Sequence, residues 1–331
     1  MIITRGSAPA ISCENKIYVF GGCGENIGMS LDTAEVYDRQ DQKWIMLPPI
    51  PRARSAPILV KIKEKIALIG GYTHKGVPVQ EVDVFDTNTQ AWELFPPLKT
   101  TKTMYPIVIA VENSLYMFGG SNHKGDAVKD CFVLENCEGD WKELAPLSVC
   151  RYAGKAFHTN NKIIVVGGRS GKEAVRSTDI YDIKSASWSL KGASRTIPSN
   201  RIFSNSIQHK DHIYLLNGLV PPVHFQTVAE KYDPEKEKWE KMTPAPFARA
   251  DTSLAMIKDF IVVIGGMCEH GPNRVTEAYD TNTDTWFTLA QMPSPRFSTS
   301  VVVFDDNTLV CLGGIGLCGA TDDVEALTFE D

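Results

Sequence analysis

Short apolar runs closed by glycine punctuate the chain at a fixed interval. Ile17-Tyr18-Val19-Phe20, Ile163-Ile164-Val165-Val166 and Ile261-Val262-Val263-Ile264 lead directly into Gly21-Gly22, Gly167-Gly168 and Gly265-Gly266. Runs this short, bounded by turn residues, predict strands buried on both faces. Further glycine pairs stand at 70–71, 119–120 and 313–314, and Asn217-Gly218 occupies the remaining place. Between the markers at 22, 71, 120, 168, 218, 266 and 314 the steps are 49, 49, 48, 50, 48 and 48 residues. Such a period marks a repeat architecture of seven units.

Tryptophan keeps the same beat. Trp44, Trp92, Trp141, Trp188, Trp239 and Trp286 each follow their glycine marker by 20 to 22 residues. Seven positions earlier stands Tyr37, Phe85, Leu134, Tyr181, Tyr232 or Tyr279, followed at once by an acid. Each unit therefore reads as a half-buried strand, an apolar strand ending in glycine, a variable loop, an alternating strand, a turn and an edge strand carrying tryptophan. Asp-Thr-Asn-Thr at 86–89 and again at 280–283 supplies turns whose side chains bond their own backbone. No segment sustains helical periodicity. Four strands in about 48 residues, repeated seven times, predict an all-β fold, a seven-bladed propeller with four antiparallel strands per blade and one domain over residues 1–331. The glycines mark places where another backbone comes close or φ is positive, and the aromatics fill the wedges between blades.

The pattern Ile-Tyr-Val-Phe-Gly-Gly, then Glu-x-Tyr-Asp, then Trp resembles the kelch repeat and covers nearly the whole chain. With its ending, Asp322-Asp323-Val324-Glu325-Ala326-Leu327, it is most similar to the small kelch-domain proteins made of repeats alone, without BTB or BACK domains. The resemblance implies a protein-interaction scaffold or adaptor, not an enzyme, and raises a cytoskeletal partner such as actin. The seventh unit supplies Ser298–Phe304, Leu309–Gly313 and Val324–Phe329 but no tryptophan strand. Only Met1–Thr4 lie upstream of Arg5, so the last blade is expected to be three-stranded or closed by a stub such as Ile2-Ile3.

A second register falls 17 or 18 residues before each marker, at Arg5, Arg54, Lys102, Arg151, Arg201, Arg249 and Arg296. In kelch geometry that point ends the loop entering the innermost strand, so seven cations are expected around one mouth of the axial channel. One reading is a funnel for an acidic partner segment, since guanidinium groups pair carboxylates bidentately and converging charges focus a field. The other is that each cation satisfies loop carbonyls or pairs with its own blade's acid. The loops after the glycines extend the candidate surface with Tyr72, His74, Asn122, His123, Arg169, His224, Met267 and His270.

Composition narrows the alternatives. The 331 residues carry a net charge of −6, which argues against nucleic acid. No apolar stretch reaches the roughly 20 residues of a membrane helix, and no signal-peptide core follows Met1. Eight cysteines without a CxxC pair read as reduced thiols in a cytoplasmic protein. No cofactor or metal is implied: His74, His123 and His270 share loop positions, but no carboxylate recurs with them. G-x-S-x-G, P-loop and H-E-x-x-H motifs do not occur. The enzymatic alternative, implied by kelch-type sugar epimerases, is an acidic sugar held by the same arginines, with Asp251 or Glu269 as general base.

Overall fold

The computed structural model describes residues 1–25, 28–98, 104–189 and 195–329. Seven antiparallel sheets follow one another along the chain. In blade 1, Ala10–Cys13, Lys16–Phe20, Ala34–Asp38 and Lys43–Met46 pair in sequence order. Blades 2 to 6 repeat the arrangement over residues 58–95, 107–144, 155–188, 205–241 and 253–288. Among the described residues blade 7 holds three strands, Ser300–Asp305, Thr308–Leu312 and Val324–Thr328, as one of the two expectations had it. The stub does not form a strand. Ile2 and Ile3 instead donate their backbone N–H groups to the Glu35 carboxylate, at 2.7 and 3.1 Å.

The second strand of each blade is buried almost throughout, as its apolar run requires. The core is divided among the blades. Seven apolar clusters each join two consecutive blades, and the last, with Val302, Val310 and Leu312 against Ile17 and Val19, unites blade 7 with blade 1. Tryptophan bridges these wedges. Trp92 lies against Phe20 of the preceding blade at 5.6 Å and gives its indole N–H to Pro48 O at 2.9 Å, and Trp188 does likewise with Phe118 and Ala145 O.

The glycine marker is fixed by the neighbouring blade. At Gly21, φ is +59° and an added Cβ would stand 2.5 Å from Arg54 O. Gly22 N donates to that same carbonyl at 3.0 Å. This stitch recurs from Gly120 to Arg151, Gly218 to Arg249, Gly266 to Arg296 and, closing the ring, Gly314 to Arg5. Asn217, the exception to the first glycine, takes the left-handed φ of 55° that asparagine tolerates. All eight cysteines are free thiols.

Candidate functional site

The register cations come first, because their placement decides which side chains form the mouth. Arg5, Arg54, Arg151, Arg249 and Arg296 are fully buried and Arg201 is 5% exposed. Each pairs with an acid on the third strand of its own blade. Arg5 meets Glu35 at 2.5 Å, Arg201 meets Glu230 at 2.5 Å, Arg249 meets Glu277 at 2.7 Å and Arg296 meets Glu325 at 2.6 Å, while Arg54 pairs with Asp83 and Arg151 with Asp179. Further donors go to backbone carbonyls, such as Arg5 Nη1 to Gly21 O at 2.9 Å and Arg151 Nη1 to Gly167 O at 3.1 Å, whereas Nε of Arg151 and Arg249 and the three guanidinium nitrogens of Arg296 find no hydrogen-bond partner among the described residues. Burial pushes the Arg249 guanidinium down to about 10 despite Glu277, and raises the carboxyls of Asp83 and Glu277.

The expected electropositive ring of arginines is therefore corrected. The six described register arginines tie the loop to the blade and present no charge to the opening. The seventh, Lys102, lies outside the described residues. In blade 3 the bridge between Met104 and Ser121 matches those of Gly6 with Cys23 and Tyr152 with Arg169. In the same blade Phe132 stands opposite Met117, where the others carry their acid. The blade without the arginine is thus also the one without the acid. An acidic sugar held by these arginines loses its binding groups for the same reason. Of its proposed bases, Glu269 is exposed, and Asp251 accepts a hydrogen bond from Ser298 Oγ at 2.8 Å.

What lines the opening is the turn just after the arginine. Ser7, Ala56, Tyr105, Ala153, Phe203, Asp251 and Ser298 all take φ near +50° and precede the innermost strands. Their backbones link blade to blade, from Ala56 N to Ser7 O, Ala153 N to Tyr105 O, Asp251 N to Phe203 O and Ser7 N to Ser298 O, at 3.0 to 3.2 Å. Most of these residues are small, but Tyr105 and Phe203 are not. Around them runs a continuous row across blades 2 to 5. Tyr72 packs on Tyr105 at 6.0 Å between ring centroids, and Tyr105 on Tyr152 at 6.3 Å. The Arg169 guanidinium lies 4.9 Å from the Tyr152 ring and 4.6 Å from that of Phe203. Phe203 is 46% exposed. Burial, then the adjacent Tyr72, push the Tyr105 phenol above its ordinary value.

Arg169 makes no side-chain hydrogen bond or ion pair among the described residues, and its buried Nε is unpartnered. Lys155, which opens the first strand of blade 4, lines the adjoining cleft with Tyr105 and Ala153. Its side chain has exposed surface, yet the protein around the axis desolvates the ammonium and lowers its pKa. Two cations without an ion-pair partner among the described residues and a row of aromatics thus occupy one side of the opening.

Of the post-glycine residues, Tyr72 and Arg169 belong to this row. Met267 and His224 sit on short hairpins, Met267–Cys268 with Gly271–Pro272 and Leu219–Val220 with His224–Phe225. Asn122 is committed to its own turn, its Oδ1 accepting from Lys124 N and Asp126 N at 2.9 and 3.0 Å. His74, His123 and His270 are exposed on separate loops, and no metal-binding cluster occurs among the described residues. Tyr105, Tyr152, Lys155 and Phe203 were not legible as site residues. The available signal was bulk: Tyr105 and Phe203 interrupt a register of Ser7, Ala56, Ala153 and Ser298.

The sequence profile of the KLHDC2/KLHL20/DRC7 Kelch-repeats domain matches residues 58–266, and the kelch motif matches 4–51 and 248–293. The chain belongs to the kelch-repeat family. It is 30% identical over 118 residues to Kelch repeat and BTB domain-containing protein 8 of Rattus norvegicus, covering 34% of this chain and 19% of that protein. Similarity to Protein C13 of Swinepox virus is 32% over 93 residues, 27% and 18% of the two chains. To Kelch-like protein 15 of Danio rerio it is 26% over 141 residues, 37% and 23%. The matches span about a fifth of these relatives' own length. Among the described residues no helix is long and apolar enough to cross a membrane.

Proposed function

We propose that this kelch propeller is a cytoplasmic protein-interaction module that docks an extended segment of a partner protein across the row Tyr72–Tyr105–Tyr152–Arg169–Phe203, with an acidic side chain of the segment meeting Arg169. The observation that carries this reading is Arg169 itself, a cation stacked between two rings with no carboxylate of its own. A desolvated, stacked guanidinium is prepared for a planar anion, and aromatics beside it provide area at small entropic cost. Lys155 adds a second positive charge whose depressed pKa a carboxylate from the partner would raise again. The acidic preference expected for the mouth thus moves from the buried ring of arginines to these two cations.

The test is affinity purification from cells with the unaltered protein and with Arg169→Glu plus Phe203→Ala. Both side chains lie outside the buried ion pairs, so the melting temperature is expected to stay within about 2 °C, in line with substitutions away from the core. Partners that dock at the mouth drop at least tenfold in recovery with the double variant. Full recovery of every partner by a folded double variant refutes docking here.

A further inference from the structure

One of the seven turns that line the opening carries an acid. Where the others hold serine, alanine, tyrosine or phenylalanine at φ near +50°, blade 6 holds Asp251. Its backbone N–H donates to Phe203 O at 3.0 Å, which sets it beside the ring that stacks on Arg169 at 4.6 Å. Arg169 and Lys155 belong to blade 4, Phe203 to blade 5 and Asp251 to blade 6. Phe203 therefore divides a positive side of the opening from a negative one.

The architecture does not account for this carboxylate. The other six turns reach the same conformation without one, and the bond between blades runs through the Asp251 amide, not its side chain. The acids that serve the blades, such as Glu277 with Arg249, are buried against a guanidinium. Asp251 has no ion-pair partner among the described residues, and the one side-chain bond it accepts comes from Ser298 Oγ to Oδ2 at 2.8 Å. Burial pushes its carboxyl above the ordinary range, and the Ser298 hydroxyl offsets only part of that. The polar side chains just beyond the turns are committed to backbone carbonyls, Asn205 Nδ2 to Thr252 O and Ser253 Oγ to Thr299 O, both at 2.8 Å. The residue is half-buried, so its carboxylate is desolvated yet open to a ligand.

We infer that Asp251 selects a basic residue in the docked segment, so that the mouth reads an acid and a lysine or arginine within three positions of each other. This rests on docking at the mouth and adds to it a second charge and a direction, with the acid over blade 4 and the base over blade 6. The spacing follows from the turns. Those of blades 5 and 6 are joined by a single backbone hydrogen bond, and an extended segment advances about 3.3 Å per residue. A cation brought to Asp251 supplies the missing counter-charge where water screens it less than in open solvent. Two opposite charges met by two opposite charges also fix the register of the segment.

The probe is a fluorescein-labelled peptide selected against the whole protein from a random twelve-residue display library, followed by anisotropy. It is expected to carry lysine or arginine within three residues of an acid. Changing that base to alanine weakens binding at least tenfold to the unaltered protein and no more than twofold to Asp251→Asn, which keeps the oxygen that Ser298 bonds and tolerates the left-handed turn. The comparison is a double-mutant cycle, so it measures the pair and not the fold. Changing the base to glutamate restores binding to Asp251→Lys, the second variant, at a turn position that takes tyrosine and phenylalanine in other blades. An equal loss with the unaltered protein and Asp251→Asn, or selected peptides in which no base accompanies the acid, overturns the inference and leaves docking at the mouth standing. Docking itself fails, and the inference with it, when Arg169→Glu plus Phe203→Ala binds the selected peptide as tightly as the unaltered protein does.

Discussion

At the scale of single residues, the register arginines were visible in the sequence and their role was not. Spacing placed six of them correctly, but it could not distinguish a charge that faces solvent from one turned back onto its own blade. The deciding partner, such as Glu277 for Arg249, lies 28 residues downstream and is not marked by any local motif. Removing one member of a buried pair strands the other, so Arg249→Met is expected to cost about 3–5 kcal/mol. Adding Glu277→Leu restores more than half of that in urea melts, because blade 3 folds with Phe132 in the acid's place. Charge reversal at Arg151 or Arg249 therefore reports on folding and not on binding. The turn aspartates give a pH dependence. At Asp233 the Lys236 ammonium, then backbone N–H bonds, hold the carboxyl down at about 2. Its folded pKa lies below the unfolded value near 3.9. It thus contributes stability in full above about pH 4 and loses it as pH falls toward 2. Asp233→Asn keeps the turn's acceptor oxygen, and its urea midpoint is expected to fall less than the unaltered protein's between pH 4 and 2.

At the scale of the strand and turn, period and composition were nearly sufficient. The apolar runs became second strands, and Asp86 and Asp280 accept from the backbone N–H two residues on at 2.9 and 2.8 Å, as their turn sequence implies. The glycine markers also behave as read, since the neighbouring blade's carbonyl occupies the space of a side chain. Gly21→Ala is expected to lower stability by more than the roughly 1–2 kcal/mol that a left-handed residue costs alone, because its Cβ meets Arg54 O. A smaller loss in denaturant melts would mean the two blades separate easily. The short hairpins after the glycines in blades 4 to 7 were not predicted. Two-residue strands carry no periodicity to detect.

At the scale of the molecule, seven similar wedges bring dissimilar loops to one opening, and the proposed docking surface is made of their differences. The period that reveals the propeller hides the site, because Tyr105, Tyr152, Arg169 and Phe203 are residues the repeat does not conserve between blades. They come from three consecutive units and meet only when the ring is built. The most direct measurement is hydrogen–deuterium exchange of the protein with and without an acidic peptide selected against it from a display library. Docking at the mouth predicts slowed exchange confined to the turns around Tyr105, Ala153 and Phe203 and the hairpin beginning at Arg169. Protection on the opposite end of the channel, or at the outer strands alone, contradicts it.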